Sequence, residues 1–148
     1  TETVPDETIG GTQFMDGYRR GGHSKYSLKV HLIFVTKYRK KLFQSGRRAD
    51  DVKQYLYDAA KKQGYTILQM ETDKDHVHIL LEYRPNVPVS EIVKQLKQDS
   101  TYQMWMHHGD YLSRQYWKHR ILWSDGYFAG SIGQVSQKTI EQYIQNQG

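Results

Sequence analysis

The chain has 148 residues, of which 37% are hydrophobic, and its formal net charge is +5. This length suits a single domain with an ordinary core, and the positive charge favours polyanionic partners such as nucleic acid or an acidic membrane. There is no cysteine, which excludes disulfides, thiolate metal sites and a cysteine nucleophile. No apolar run reaches the ~18 residues of a membrane span and no signal peptide is visible, so we expect a soluble, cytoplasmic protein.

The first 22 residues lack hydrophobic periodicity and are interpreted as a flexible tail, which leaves one domain over residues 23–148. From Tyr26 to Val35 apolar side chains alternate, which predicts a strand whose second face becomes apolar at Ile33 and Val35. A basic turn follows this strand.

The next apolar residues recur at helical spacing and end at Gly64, a residue typical of helix C-termini. The remaining predicted elements, in chain order, are strands over 65–71 and 76–83, a helix capped by Ser90, an aromatic stretch over 107–125 without a firm period, a strand from Tyr127 to Gly133, and a helix capped by Ser136 and reaching Gln147. This order predicts an α+β fold, ferredoxin-like or RRM-like, in which helices pack on one face of an antiparallel sheet.

The third strand contains His76 and His78, which point to the same face because side chains alternate along a strand. If the helices cover its apolar face, this pair faces outward, where neutral imidazoles can bind a divalent metal. Two solvent-facing histidines on an amphipathic strand are an equally good interpretation. Asp75 can orient one ring, although a turn residue is slightly favoured, and His31 is interpreted as a structural histidine.

On the last helix, Tyr143 and Gln147 are four residues apart and share one face with Ile140 and Ile144. The simpler interpretation is a docking face that buries one more tyrosine. The functional interpretation depends on a phenol, an amide oxygen and an outward histidine pair occurring together.

Basic and aromatic side chains suit a nucleic-acid surface. The candidate DNA-binding residues are Lys37, Arg39, Lys40 and Lys41 in the basic turn, and Lys94 and Lys97 on the second helix. Eight aromatic residues between positions 102 and 128 include candidate platforms for unpaired bases, although most are expected in the core.

Five blocks carry a resemblance to a known family. They are YSLKVHLIFVTKYRKKLF, DKDHVHILLE, VKQLKQDSTYQMW, WSDGYFAGSIG and TIEQYIQNQG. In this order they resemble the single-tyrosine HUH transposases of the insertion sequence 200/605 family, over nearly the whole domain. Asp99, in the third block, departs from the small residue that many relatives carry there, which puts the DNA contact at this point in doubt.

The resemblance implies that Tyr143 is the nucleophile and that His76, His78 and Gln147 bind a divalent metal, Mg²⁺ or Mn²⁺. It implies cleavage and rejoining of single-stranded DNA through a 5′-phosphotyrosine intermediate. The implied partners are single-stranded DNA with subterminal hairpins and a second copy of the chain, in a homodimer whose active sites can be completed in trans. A hinge near Gly130 and Gly133 would serve this exchange.

Three alternatives stay open from the sequence. A domesticated relative that processes repeated palindromes would use the same chemistry. A non-catalytic single-stranded nucleic-acid-binding module would use the same sheet, but would place aromatics on its open face. A metal-dependent nuclease that uses water would not need Tyr143.

Overall fold

The computed structural model describes residues 27–117, 119–131 and 136–147. The proposed tail over 1–22 and the proposed hinge residue Gly133 therefore lie outside the described residues. The elements are β1 (Leu28–Val35), α1 (Gly46–Gln63), β2 (Thr66–Asp73), β3 (His76–Tyr83), α2 (Val89–Tyr116), β4 (Phe128–Gly130) and α3 (Gln137–Gln145), with a short 3₁₀ turn over Lys37–Arg39 between β1 and α1.

The four strands form one antiparallel sheet in the order β2-β3-β1-β4. Each helical crossover therefore skips one strand position, which is the split βαβ arrangement of the ferredoxin-like fold. The predicted α+β class and its antiparallel sheet are confirmed. No helix among the described residues is long and apolar enough to cross a membrane.

The first helix ends where the sequence predicts. Gly64 follows α1 in the left-handed region with φ 86°, a conformation that costs glycine little, and its amide closes the last turn. Val52, Leu56 and Ala59 form the buried face of this helix. They pack with residues of α2 and of the sheet in the main core.

The second helix differs from the prediction at both ends. It begins at Val89 after Pro88, so Ser90 is not its cap, and it continues for 28 residues to Tyr116. The expectation of irregular structure from residue 107 is therefore wrong as far as Tyr116. A kink at His108 (φ −131°) changes the face that the helix presents to the core, which breaks the period of its apolar residues.

The sheet is covered on both faces. The main core lies between one face and the helices α1 and α2, and includes Leu32 and Ile79. On the opposite face Ile33 and Val35 are fully buried beneath Ile144 of α3. The histidine face is therefore not open as predicted, because two apolar side chains on β1 match the apolar stripe of α3.

Candidate active site

The β1–β3 register places the histidine pair on the face that α3 covers. His76 lies opposite Val35 and His78 lies opposite Ile33, so both imidazoles share a face with these buried residues. Antiparallel pairs project to the same side of a sheet. The sheet thus brings the predicted metal ligands onto the face that also carries the predicted nucleophile.

Asp75 orients the first histidine. Its Oδ1 lies 3.0 Å from Nδ1 of His76, and its Oδ2 accepts a hydrogen bond of 3.2 Å from Nε of Arg39. The carboxylate is largely buried. Because Nδ1 of His76 is engaged by a carboxylate, the other ring nitrogen, Nε2, is the one suited to bind a metal. Both interpretations drawn from the sequence apply, because Asp75 lies in the turn between β2 and β3 and also contacts the His76 ring.

His78 has a histidine partner, His31, on the neighbouring strand β1. Its Nε2 lies 2.9 Å from Nδ1 of His31, and the two ring centroids are 5.0 Å apart. Burial lowers the pKa of His31, and burial followed by the charge of His31 lowers the pKa of His78. Both rings are therefore neutral at neutral pH, which is the form that binds metals. The interpretation of His31 as a hydrogen-bonded histidine agrees with this geometry.

Tyr143 packs onto the same face from α3. Ser136 caps this helix as predicted, accepting a hydrogen bond of 3.2 Å from the amide of Thr139. The Tyr143 ring meets Phe128 edge-on at a centroid distance of 5.9 Å, and Phe128 is paired with Ile33 in the sheet. Among the described residues, its hydroxyl is buried without a hydrogen-bond partner, and burial raises its pKa to about 12.

Residues 124–126, here called the site loop, bring the phenol and the amide together. Ser124 Oγ donates a hydrogen bond of 3.4 Å to Oε1 of Gln147. A Cβ at Gly126 would lie 3.7 Å from the Tyr143 hydroxyl and 3.9 Å from Gln147 Oε1. The backbone of Gly126, which has no side chain, therefore packs against both the Tyr143 hydroxyl and the Gln147 amide oxygen. The sequence prediction missed Ser124 and Gly126, because neither residue belongs to a recognisable catalytic pattern.

The donor set fits a divalent cation of limited affinity. Within the described ranges, no three His, Asp or Glu side chains cluster as a metal site, so a cation here would depend on the two imidazoles and the Gln147 amide oxygen. The amide oxygen suits Mg²⁺ and Mn²⁺, whereas imidazole more commonly binds Zn²⁺ and other transition metals, so the donor set does not by itself select one divalent cation. The buried phenol without a partner is a further polar group that a bound ion or phosphate would satisfy.

Comparison with known proteins assigns the chain to a family. Residues 24–147 match the family described as "Transposase IS200 like". The chain belongs to this family. It is 32% identical over 125 residues to the Salmonella typhimurium transposase for insertion sequence element IS200, a match that covers 84% of this chain and 80% of that protein. It is also 32% identical over 129 residues to the ISDra2 transposase TnpA of Deinococcus radiodurans, covering 87% and 90%.

A solved structure agrees with this assignment. The crystal structure of a Deinococcus radiodurans R1 chain assigned as a transposase superposes with a TM-score of 0.76 at 32% identity, covering 88% of this chain and 98% of that one. The sequence resemblance to the single-tyrosine transposases is thereby confirmed.

The predicted DNA-binding residues of this transposase lie in different environments. Lys94 and Lys41 are exposed, and Lys40 is partly exposed. Lys37 is 3.6 Å from the exposed carboxylate of Asp125, and Arg39 is held by Asp75.

Lys97, on the same helix as Lys94, lies in a different environment, because its amino group is directed at backbone carbonyls of the site loop. Asp99, the residue that departs from the family pattern, pairs with Lys62 at 3.8 Å, so its side chain points toward α1.

Of the eight aromatic residues singled out between positions 102 and 128, Tyr102 and Trp117 are exposed. Trp105, Tyr116 and Trp123 are buried in the main core. Candidate base-stacking side chains in this transposase are thus few, as the sequence predicts. Trp117 also adopts a positive φ of 57°.

Proposed function

We propose that this transposase cleaves and rejoins single-stranded DNA through a covalent phosphotyrosine intermediate at Tyr143. The observation that supports the proposal most strongly is the arrangement around its hydroxyl. A buried phenol without a hydrogen-bond partner among the described residues lies beside the Gln147 amide oxygen, on the sheet face that carries His76 and His78. A tyrosine buried only for packing would normally satisfy its hydroxyl, because an unpaired buried polar group costs about 1–3 kcal/mol.

The reaction would proceed by in-line displacement at phosphorus. Tyr143 Oη would attack the scissile phosphate, a new P–O bond would form to the tyrosine, and the bond to the 3′-oxygen would break. The phenol would lose its proton and the departing 3′-oxygen would gain one, so protons balance across the step. The 3′-hydroxyl of a second strand would then reverse the exchange, which conserves the bond energy and rejoins DNA without a cofactor that supplies energy.

The predicted metal ligands would hold Mg²⁺ or Mn²⁺ at His76 Nε2, His78 and Gln147 Oε1. When bound, the cation would polarise the scissile phosphate and neutralise the charge that develops on it. Asp75 would keep the His76 ring oriented, and the site loop would keep Gln147 oriented. The phenol, with a pKa raised to about 12 by burial, would stay protonated until DNA arrives.

The proposed partners are single-stranded DNA with subterminal hairpins and a second copy of the chain. Exposed Lys94 and Lys41 would neutralise phosphates, and the exposed Trp117 ring is available for base stacking. In the structure α3 packs on the sheet of its own chain. An exchange of α3 between the two copies of a homodimer would build the same contacts in trans.

Covalent trapping tests the proposal. Purified protein with Mn²⁺ is mixed with labelled single-stranded DNA from the ends of the element and separated on a denaturing gel. A labelled protein band that requires metal, and is lost in both Tyr143→Phe and His76→Ala, is the expected result. His119→Ala is a matched control for loss of a histidine, because His119 is exposed and lies outside the proposed site.

Two other outcomes would contradict the proposal. Cleavage without an adduct that persists in Tyr143→Phe would identify a nuclease that uses water. Specific binding of hairpin DNA from both element ends, without cleavage or adduct at any metal tested, would identify a non-catalytic binding module. A domesticated relative would give the adduct with genomic palindromes instead.

A further inference from the structure

The side chains of the site loop anchor it only weakly, through the 3.6 Å contact of Asp125 with Lys37 and the 3.4 Å hydrogen bond of Ser124 to Gln147. Its residues are Ser124, Asp125 and Gly126, and the Asp125 side chain is 97% exposed. Nevertheless, Gly126 packs against Tyr143 and Gln147, and Ser124 donates to Gln147. A displacement of this short segment would therefore move the surroundings of both the phenol and the amide.

A single ammonium group binds the backbone of all three loop residues. Lys97 Nζ donates to the carbonyls of Ser124 and Gly126 at 2.8 Å each, and lies 3.5 Å from the carbonyl of Asp125. An ammonium has three N–H donors, which matches three converging acceptors. The amino group also lies 5.5 Å from the centre of the buried Phe34 ring, so the lysine crosses the core surface to reach the loop.

The amino group is charged at neutral pH despite its partial burial. Burial lowers the pKa of Lys97 to about 8, and the Asp125 carboxylate partly opposes this effect. A lysine that contacts DNA only through long-range attraction would instead be fully hydrated, as exposed Lys94 is.

The two ends of the site loop are anchored differently. At the first end, the amide of Ser124 donates to the Val35 carbonyl at 2.7 Å, and the preceding Trp123 donates from Nε1 to Ser100 Oγ at 2.9 Å. These bonds do not involve Lys97. Removing the ammonium should therefore loosen the Gly126 end and leave Trp123 in place.

We propose that Lys97 is a positioning residue that clamps the site loop, so that the loop holds Tyr143 and Gln147 in their reactive arrangement. The inference rests on the proposed function and assigns Lys97 a role other than DNA binding. It predicts that loss of the ammonium slows cleavage of bound DNA without weakening binding beyond what loss of one charge does. The mispositioning would lower the single-turnover rate by about 100-fold, the size that small displacements of reacting groups produce.

The test compares Lys97→Met with Lys94→Met, which removes the same charge from an exposed position on the same helix. DNA affinity and its salt dependence are measured by fluorescence anisotropy with an uncleavable oligonucleotide. Adduct formation is measured in single turnovers at saturating DNA. Amide hydrogen exchange of residues 124–130 and 139–147 is measured in the free protein.

The expected Lys97→Met protein has a saturating rate about 100-fold lower, affinity no weaker than that of Lys94→Met, and faster exchange in both segments. Lys94→Met should lose affinity and reduce the salt slope by about one, which is the signature of a phosphate contact. A Lys97→Met protein that loses affinity, has the reduced salt slope and keeps a full saturating rate would overturn the proposal. Unchanged exchange in both segments would overturn it independently.

Two further arms keep the result interpretable. If Lys97→Met does not melt cooperatively, Lys97→Arg takes its place, because arginine keeps the charge but its planar fork cannot direct three N–H groups at these carbonyls. If the wild-type protein forms no adduct, the proposed function fails, while the exchange measurement still decides whether Lys97 clamps the loop.

Discussion

The helix α3, which carries Tyr143, is held by a small apolar contact whose loss should undock it without unfolding the domain. Ile144 is 8% exposed and packs on Ile33 and Val35, which are fully buried, in a cluster separate from the main core. Ile144→Ala removes three carbon atoms, which at about 0.8 kcal/mol each amounts to about 2.4 kcal/mol. This free energy corresponds to about a 60-fold shift from docked to undocked α3, because each 1.4 kcal/mol is a factor of ten.

Hydrogen exchange and chemical denaturation together measure this effect. In Ile144→Ala the amides of α3 should lose about 60-fold of their protection, and the free energy of global unfolding should fall by about the same 2.4 kcal/mol, because both are measured from the docked state. Ile67→Ala is the matched control, because Ile67 is 7% exposed and belongs to the main core. It should lower global stability by a similar amount and leave the hydrogen-exchange protection of the α3 amides unchanged. A loss of α3 protection in Ile67→Ala equal to the loss in the main-core amides would refute the separation of α3 from the core.

Three further predictions concern single side chains. Asp75→Ala should weaken Mn²⁺ binding about 10–100-fold in a calorimetric titration because it frees the His76 ring. Asp73→Ala, at the exposed end of β2, should not. Gly64→Ala should lower stability by about 1 kcal/mol in denaturant because of its positive φ, whereas Gly109→Ala, in open helical surroundings, should not destabilise. Burial raises the pKa of Tyr143 to about 12, above the ~10 of a tyrosine in an unfolded chain. The contribution of this phenol to stability is therefore present below pH 10 and lost between about pH 10 and 12. Tyr143→Phe should show a smaller fall in melting temperature than the wild-type protein across that window.

The sequence predicted the strands well because their side chains alternate and their ends are marked locally. The histidine strand was placed at 76–83 and lies there in the structure, and Gly64 ends α1 as expected. The long α2 was missed after residue 107 because a kink shifts its buried face, so no single period describes it. Hydrophobic periodicity predicts a helix only as long as the same face of that helix stays buried.

The candidate site was predicted less completely, because most of its contacts join distant segments. Tyr143, Gln147, His76 and His78 were named from spacing and from the family resemblance. The structure places Tyr143 and the two histidines on one sheet face, and Gln147 beside the site loop. The His31–His78 bond spans 47 residues and the Ser124–Gln147 bond spans 23, so neither leaves a local pattern.

Lys97 was predicted as a DNA contact because a lysine spaced one turn from Lys94 resembles a basic stripe. Its hydrogen bonds to the site loop span 27 and 29 residues, so they leave no local pattern in the sequence.

The histidines and Tyr143 are held in place by different contacts. The histidines stand on a central strand between β1 and β2, next to a carboxylate that is itself held by Arg39. The tyrosine stands on α3, the shortest of the three α-helices that the described residues form, and one small apolar cluster and the site loop secure this helix. Loss of Asp75 should therefore act on the His76 ring, whereas loss of Ile144 should displace Tyr143 and Gln147 together, because both belong to the same C-terminal segment. In the proposed exchange, release of α3 would carry the Gln147 amide away with the tyrosine, and the identical segment of a second copy would restore both, while His76 and His78 stay in place on β3.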